Sequence, residues 1–167
     1  MRHLLTAACL AALPVLAPQS ATAQVATPLS GTWTAHPQAH AITGCDAELA
    51  GILEMMAQVM KDAAGSVEIE WREDRFDAES LRVAQGDGDA SRWFQPAPDL
   101  VVAVPRHRGH DGADGPVRIA MRITAPDVIE TRILVDATTL RRLEHQPVAA
   151  GTETCRLVID SEFRLDV

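Results

Sequence analysis

Arg118-Ile119-Ala120-Met121-Arg122-Ile123-Thr124-Ala125-Pro126-Asp127-Val128-Ile129-Glu130-Thr131-Arg132-Ile133-Leu134-Val135 is the stretch that decides the fold. Ile119, Met121 and Ile123 alternate with Arg118, Ala120 and Arg122, the two-residue period of a strand with one apolar face. Ala125-Pro126-Asp127 is turn chemistry, and a second strand candidate, Val128 to Val135, follows at once. Two strands joined this tightly read as an antiparallel pair.

The same period recurs on both sides of this pair. Val67, Ile69 and Trp71 alternate with Glu68, Glu70 and Arg72, and Leu81 and Val83 alternate with Arg82 and Ala84. Ser91 to Gln95 follows the turn Gly86-Asp87-Gly88-Asp89. Leu100 to Val104 is continuously apolar, as in a strand covered on both faces. Thr138 to His145 reads as a further strand. In Thr154 to Leu165, the residues Leu157, Ile159, Phe163 and Leu165 share a parity with Cys155. Gly31 to Thr34 is a short strand candidate, and His36 to Gly44 reads as a loop.

One segment departs from this pattern. Leu49, Ile52, Leu53, Met56, Val59, Met60 and Ala63 recur at spacings of three and four, preceded by Asp46 as N-cap and followed by Gly65 as stop. The expectation is a mainly β (α+β) protein. About eight or nine strands form an antiparallel meander, a curved sheet or open barrel, with one amphipathic helix over about 46–64 on its apolar face.

The chain has 167 residues, 47% hydrophobic and 23% charged, a composition that argues against wholesale disorder. Its formal charge of −8 argues against a general nucleic-acid binder. Arg2 and His3, the apolar run Leu4 to Ala17 and the Ala21-Thr22-Ala23 pattern before Gln24 read as a secretory signal peptide over 1–23. Pro14 and the short run argue against a membrane span. Residues 24–30 read as a flexible lead and 31–167 as one globular domain. Removing residues 1–23 takes away one Arg and no acid, so the remaining chain is more acidic still. Basic residues are 14 Arg and Lys61, a bias that suggests a GC-rich bacterial genome and hence a periplasmic or secreted destination.

Beyond residue 23 the cysteines are Cys45 and Cys155. In an oxidising compartment they are expected to form one bridge, which would pin the start of the helix to the apolar face of the last strand. A redox role has no C-x-x-C to support it.

Catalytic motifs are absent: no G-x-S-x-G, P-loop, H-E-x-x-H or dinucleotide-binding glycine pattern occurs, and no cofactor is implied. The loop from Pro105 to Pro116 carries His107, His110, Asp111 and Asp114, donor atoms suited to zinc or copper, and His36 and His40 offer a second pair. Arg106 and Arg108 oppose a cation there, and a polar turn-rich loop accounts for the same residues. Met55, Met56 and Met60 form a soft, polarisable surface or else core. Trp33, Trp71, Trp93 and Phe94 line a pocket or anchor the core. The soft and aromatic residues Trp33, Met56, Met60, Trp71, Trp93 and Phe94 are therefore the candidate ligand contacts.

Gly31-Thr32-Trp33 resembles the G-x-W that opens the first strand of lipocalins and related calycins. The resemblance implies a barrel closed at one end by the Trp, an apolar ligand inside, and a late basic residue, Arg156 or Arg164, packed on the Trp. The helix at 46–64 departs from that pattern, which has a strand there. Three functions follow as expectations. The first is a non-catalytic binding module for a small apolar or amphiphilic ligand. The second is an acidic envelope interaction factor or inhibitor of a cationic partner. The third is a metal-dependent enzyme or metal-handling protein.

Overall fold

The computed structural model of the chain describes residues 25–63, 65–84, 86, 90–106 and 114–166. The signal-peptide reading of 1–23, residues 87–89 of the glycine-aspartate turn, and His107, His110 and Asp111 of the loop lie outside the described residues.

The decisive stretch forms a hairpin of β5 (Val117–Ala125) and β6 (Val128–Asp136), with Ile119 opposite Ile133, Met121 opposite Thr131 and Ile123 opposite Ile129. The neighbours are β3 (Ser91–Ala97) and β4 (Leu100–Pro105) on one side and β7 (Arg156–Leu165) on the other. These five strands form the expected meander. β7 then pairs with β1 (Gly31–Thr43), and β1 with β2 (Ser66–Ile69), giving one antiparallel sheet in the order β2-β1-β7-β6-β5-β4-β3. The sheet curls into a half-barrel whose edges are β2 and β3.

Among the described residues the sheet has seven strands, not eight or nine, and three α-helices accompany it, not one. Two of the expected strands are helices: α2 (Ala78–Ala84) and α3 (Ala137–Leu143). In a strand Leu81 and Val83 would share a face. In the helix they lie about 200° apart, and Leu81 is buried while Val83 is exposed. Each helix starts at an aspartate. Ser80 N donates to Asp77 Oδ1 at 2.8 Å, and Thr139 N donates to Asp136 Oδ1 at 2.9 Å, each satisfying an amide with no partner inside the helix. Burial pushes the Asp77 carboxyl up, but the hydrogen bonds from Ser80 and Arg75 outweigh it and hold the group below its ordinary value. α2 touches both β2 and β3, so it bridges the two open edges of the half-barrel.

β1 also runs further than expected. His36 to Thr43 is strand, because β7 supplies an antiparallel partner from Arg156 to Glu162. The register shifts at Gln38, between Pro37 and Ala39. This bulge resets the parity, so that Trp33 before it and His40 and Ile42 after it all face inward.

The inner face carries two apolar clusters. At one end Trp33, Trp71, Phe76, Leu81, Val101, Met121 and Ile129 pack together; at the other, Leu49, Leu53 and Ala57 of α1 (Ala47–Asp62) pack on Val135, Leu157 and Ile159. Between them runs an inward row of Met121, Thr131, Ser161 and Pro37 across four strands. Thr131 is buried and its Oγ1 has no hydrogen-bond partner among the described residues. No described helix is long and apolar enough to cross a membrane.

Candidate functional site

α1 is built as its sequence dictates. Leu49 N donates to Asp46 Oδ1 at 2.8 Å, closing the N-terminus, and Glu48 lies in the positive first turn. The Cys45–Cys155 disulfide is formed, with the two Cα atoms 4.5 Å apart, so the chain entering the helix is tied to the start of β7. His40 Nε2 lies 2.9 Å from both carboxylate oxygens of Glu54, fastening the other flank of the helix to β1.

The buried seam of α1 is narrow. Leu49, Leu53 and Ala57 are buried, at spacings of four. Ile52 and Val59, which the periodicity assigns to the core stripe, are 45% and 60% exposed, and Met55 is 65% exposed. On a helix of 100° per residue these three fall within about 60° of arc. They form one apolar strip along the solvent side of α1. Met56 and Met60 are half-buried and pack against the cluster beneath, so they join that strip to the core. Acidic and polar groups border it: Glu48 and Asp62 are exposed, and Gln58 Nε2 donates to Asp62 Oδ1 at 2.9 Å.

The other expected ligand contacts lie elsewhere. Trp33 is completely buried; its ring meets Trp71 edge-on at 6.3 Å, and Trp71 lies 5.6 Å from Phe76. Both indole N–H groups donate to one acceptor, the Leu29 carbonyl, at 3.2 Å from Trp33 and 3.0 Å from Trp71. Pro28 is buried, and Val25 and Ala26 pack against the same cluster, so residues 25–29 lie across the aromatic end. Trp93 is half-buried against this cluster, whereas Phe94 is exposed on the opposite face of β3. The expected ligand residues are thus divided among the helix, the aromatic end and, for Phe94, the outer face of β3. The concave space where a half-barrel would hold a ligand is occupied by Trp33, Trp71, Phe76 and Leu81. Leu165 stands opposite Trp33; Arg164 lies on the other face and pairs with Glu162 at 2.6 Å, and Arg156 sits at the far end of β7, opposite Thr43.

Of the expected metal residues, Asp114 is described, and its carboxylate takes an ion pair from Arg92 at 2.6 Å. His36 is exposed, and His40 is engaged by Glu54. Among the described residues no group of three or more His, Cys, Asp or Glu side chains could hold a metal ion.

The contribution of Ile52 and Val59 to an exposed surface was hidden in the sequence, because periodicity gives the direction of an apolar face but not its width. The adjacent methionines were the available signal, since Met55 falls outside the i, i+4 seam. Comparison with protein-family models, with curated proteins and with solved structures finds no match to this chain.

Proposed function

We propose that this chain is a non-catalytic protein-interaction factor of the cell envelope, and that the exposed flank of α1 takes an apolar and basic segment of a cationic partner. The observation that carries this reading is the strip Ile52, Met55 and Val59, left in water on an otherwise well-anchored helix. Methionine-bearing helix surfaces adapt to partner side chains because the thioether is flexible and polarisable. The bordering Glu48 and Asp62, within a chain of formal charge −8, favour a basic partner over a second copy of the same acidic surface. The setting is periplasmic or extracellular, supported by the Cys45–Cys155 bridge, since disulfides persist in oxidising compartments.

A second reading is a small apolar or amphiphilic ligand at the aromatic end. It is supported by an open depression of about 550 Å³ whose lining mixes Val25, Ala26, Phe76 and Pro98 with Asp74, Arg75 and Asp77. Because Trp71 packs on Phe76, such a ligand would change tryptophan emission.

Calorimetric titration with a model helical peptide of leucine and lysine tests the first reading. Wild type binds, binding weakens at high salt, and Met55→Glu with Val59→Glu abolishes it. Equal affinity of wild type and the double variant would overturn it.

A further inference from the structure

α1 contains a glycine that its own fold does not require. Gly51 lies inside the helix, outside the left-handed region, and is exposed. Glycine is the poorest helix former after proline, because it has the most backbone freedom to lose. Gly44 shows a glycine that the fold does need: its φ is +68°, and a Cβ there would stand 2.6 Å from Thr154 Oγ1. Gly51 has neither reason. Among the described residues, and its own helical turn aside, a Cβ on Gly51 would meet no heavy atom within 4 Å.

The position of Gly51 on the helix is an independent observation. It is two residues from both Leu49 and Leu53, so it points about 160° away from each of these buried side chains. Met55 lies within about 40° of it around the helix and Val59 within about 80°. Both are exposed, so the bare turn opens directly onto the apolar strip. Glu48 and Asp62, both exposed, stand at the two ends of this face, about 21 Å apart along the axis. On the far flank lie Glu54, held by His40, and Lys61, so α1 carries three carboxylates and one ammonium.

We infer that the segment taken by this surface is a basic amphipathic α-helix that crosses α1 at Gly51. It seats an apolar side chain on the bare turn and sends lysines or arginines toward Glu48 and Asp62. The inference rests on the reading of α1 as a partner surface and adds the partner's shape and crossing point. Packed helices lie about 8–10 Å apart, at a distance set by the side chains where they cross. A missing side chain at that one place lets the two backbones approach closely and brings Met55 and Val59 into contact as well. An extended segment has no single crossing point to benefit from it. The Asp46 cap and the disulfide hold α1 in place beforehand, which lowers the ordering cost of binding. A second copy of this chain is disfavoured, because a symmetric crossing at Gly51 would bring together the Glu48 and Asp62 carboxylates of both copies.

The test is calorimetric titration of the whole protein with the leucine–lysine helical peptide, and with the same peptide carrying proline at its central leucine, which breaks the helix. Wild type prefers the helical peptide by about tenfold or more. Gly51→Ala folds more stably, melting a few degrees higher, yet binds the peptide severalfold more weakly. Gly51→Leu, which fills the crossing point, weakens binding by about tenfold or more. Opposite changes in melting temperature and affinity separate a contact role from a loss of fold. If Met55→Glu with Val59→Glu abolishes binding while Gly51→Leu binds like wild type, or if the proline peptide binds equally well, the surface stands and the crossing helix is overturned. No binding by wild type overturns both. Self-association of the protein alone in sedimentation, lost in Gly51→Leu, would assign the face to a second copy and also overturn the inference.

Discussion

The two ends of the inner face solve the same problem with different materials. At the aromatic end, Trp33, Trp71 and Phe76 fill the half-barrel, and two indole N–H groups converge on the Leu29 carbonyl. At the α1 end, three small or aliphatic residues at spacings of four suffice, backed by a disulfide and the His40–Glu54 contact. The aromatic end spends its large side chains on the interior. The helix end, with its position fixed covalently, keeps Ile52, Met55 and Val59 outside. The difference teaches that anchoring and presenting are separable here: one end is scaffold, and the other carries a surface.

The largest expected effect probes the scaffold. Trp33→Ala removes a completely buried indole and leaves the Leu29 carbonyl with one donor fewer, so it costs about 3–5 kcal/mol in chemical denaturation. A loss below about 1 kcal/mol would mean that the aromatic end is not the main anchor. Next comes the bridge. Cys45→Ser with Cys155→Ser opens a loop with a sequence separation of 110 and costs about 2–4 kcal/mol. Hydrogen exchange should then quicken at α1 while the Trp33 and Trp71 indole protons stay protected; equal loss at both ends would erase the comparison.

Smaller effects sharpen it. Asp77→Ala removes the α2 cap that closes the scaffold end, at a cost of about 1 kcal/mol. Because the folded-state pKa of Asp77 is lowered, its contribution is fully present above the ordinary value of 3.8 and is lost as pH falls through the folded value. Asp77→Asn should therefore flatten that acid limb of the stability curve. Thr131→Val replaces a buried hydroxyl without a partner, between the two clusters, and should stabilise the fold by about 1 kcal/mol. Met55→Glu, on the exposed strip, should change stability by less than about 0.5 kcal/mol.

Much of this arrangement was legible in the residues. The β5–β6 hairpin, the meander, the α1 cap at Asp46 and the Cys45–Cys155 bridge each carry a local signal that the tertiary structure keeps. α2 reads as a strand because the apolar pair Leu81 and Val83, two residues apart, fits a strand as well as a helical turn, whereas in α3 the pair Leu140 and Leu143, three apart, already has helical spacing. Asp77 and Asp136 are the capping signals that separate the two cases. β1 beyond Thr34 was hidden by Pro37 and the bulge at Gln38, since the partner that makes it a strand, β7, is more than a hundred residues away. At the candidate site, the methionines were visible as a soft surface. The exposure of Ile52 and Val59 depends on how much of α1 the sheet covers, which no local pattern records.

The most direct test of scaffold and surface together is NMR of methionine methyl and tryptophan indole signals during titration with the leucine–lysine helical peptide. The account predicts that Met55, Met56 and Met60 shift, while Met121 and the Trp33 and Trp71 indoles stay in place. Shifts at Met121 and the indoles with α1 silent would contradict it and move the binding surface to the aromatic end.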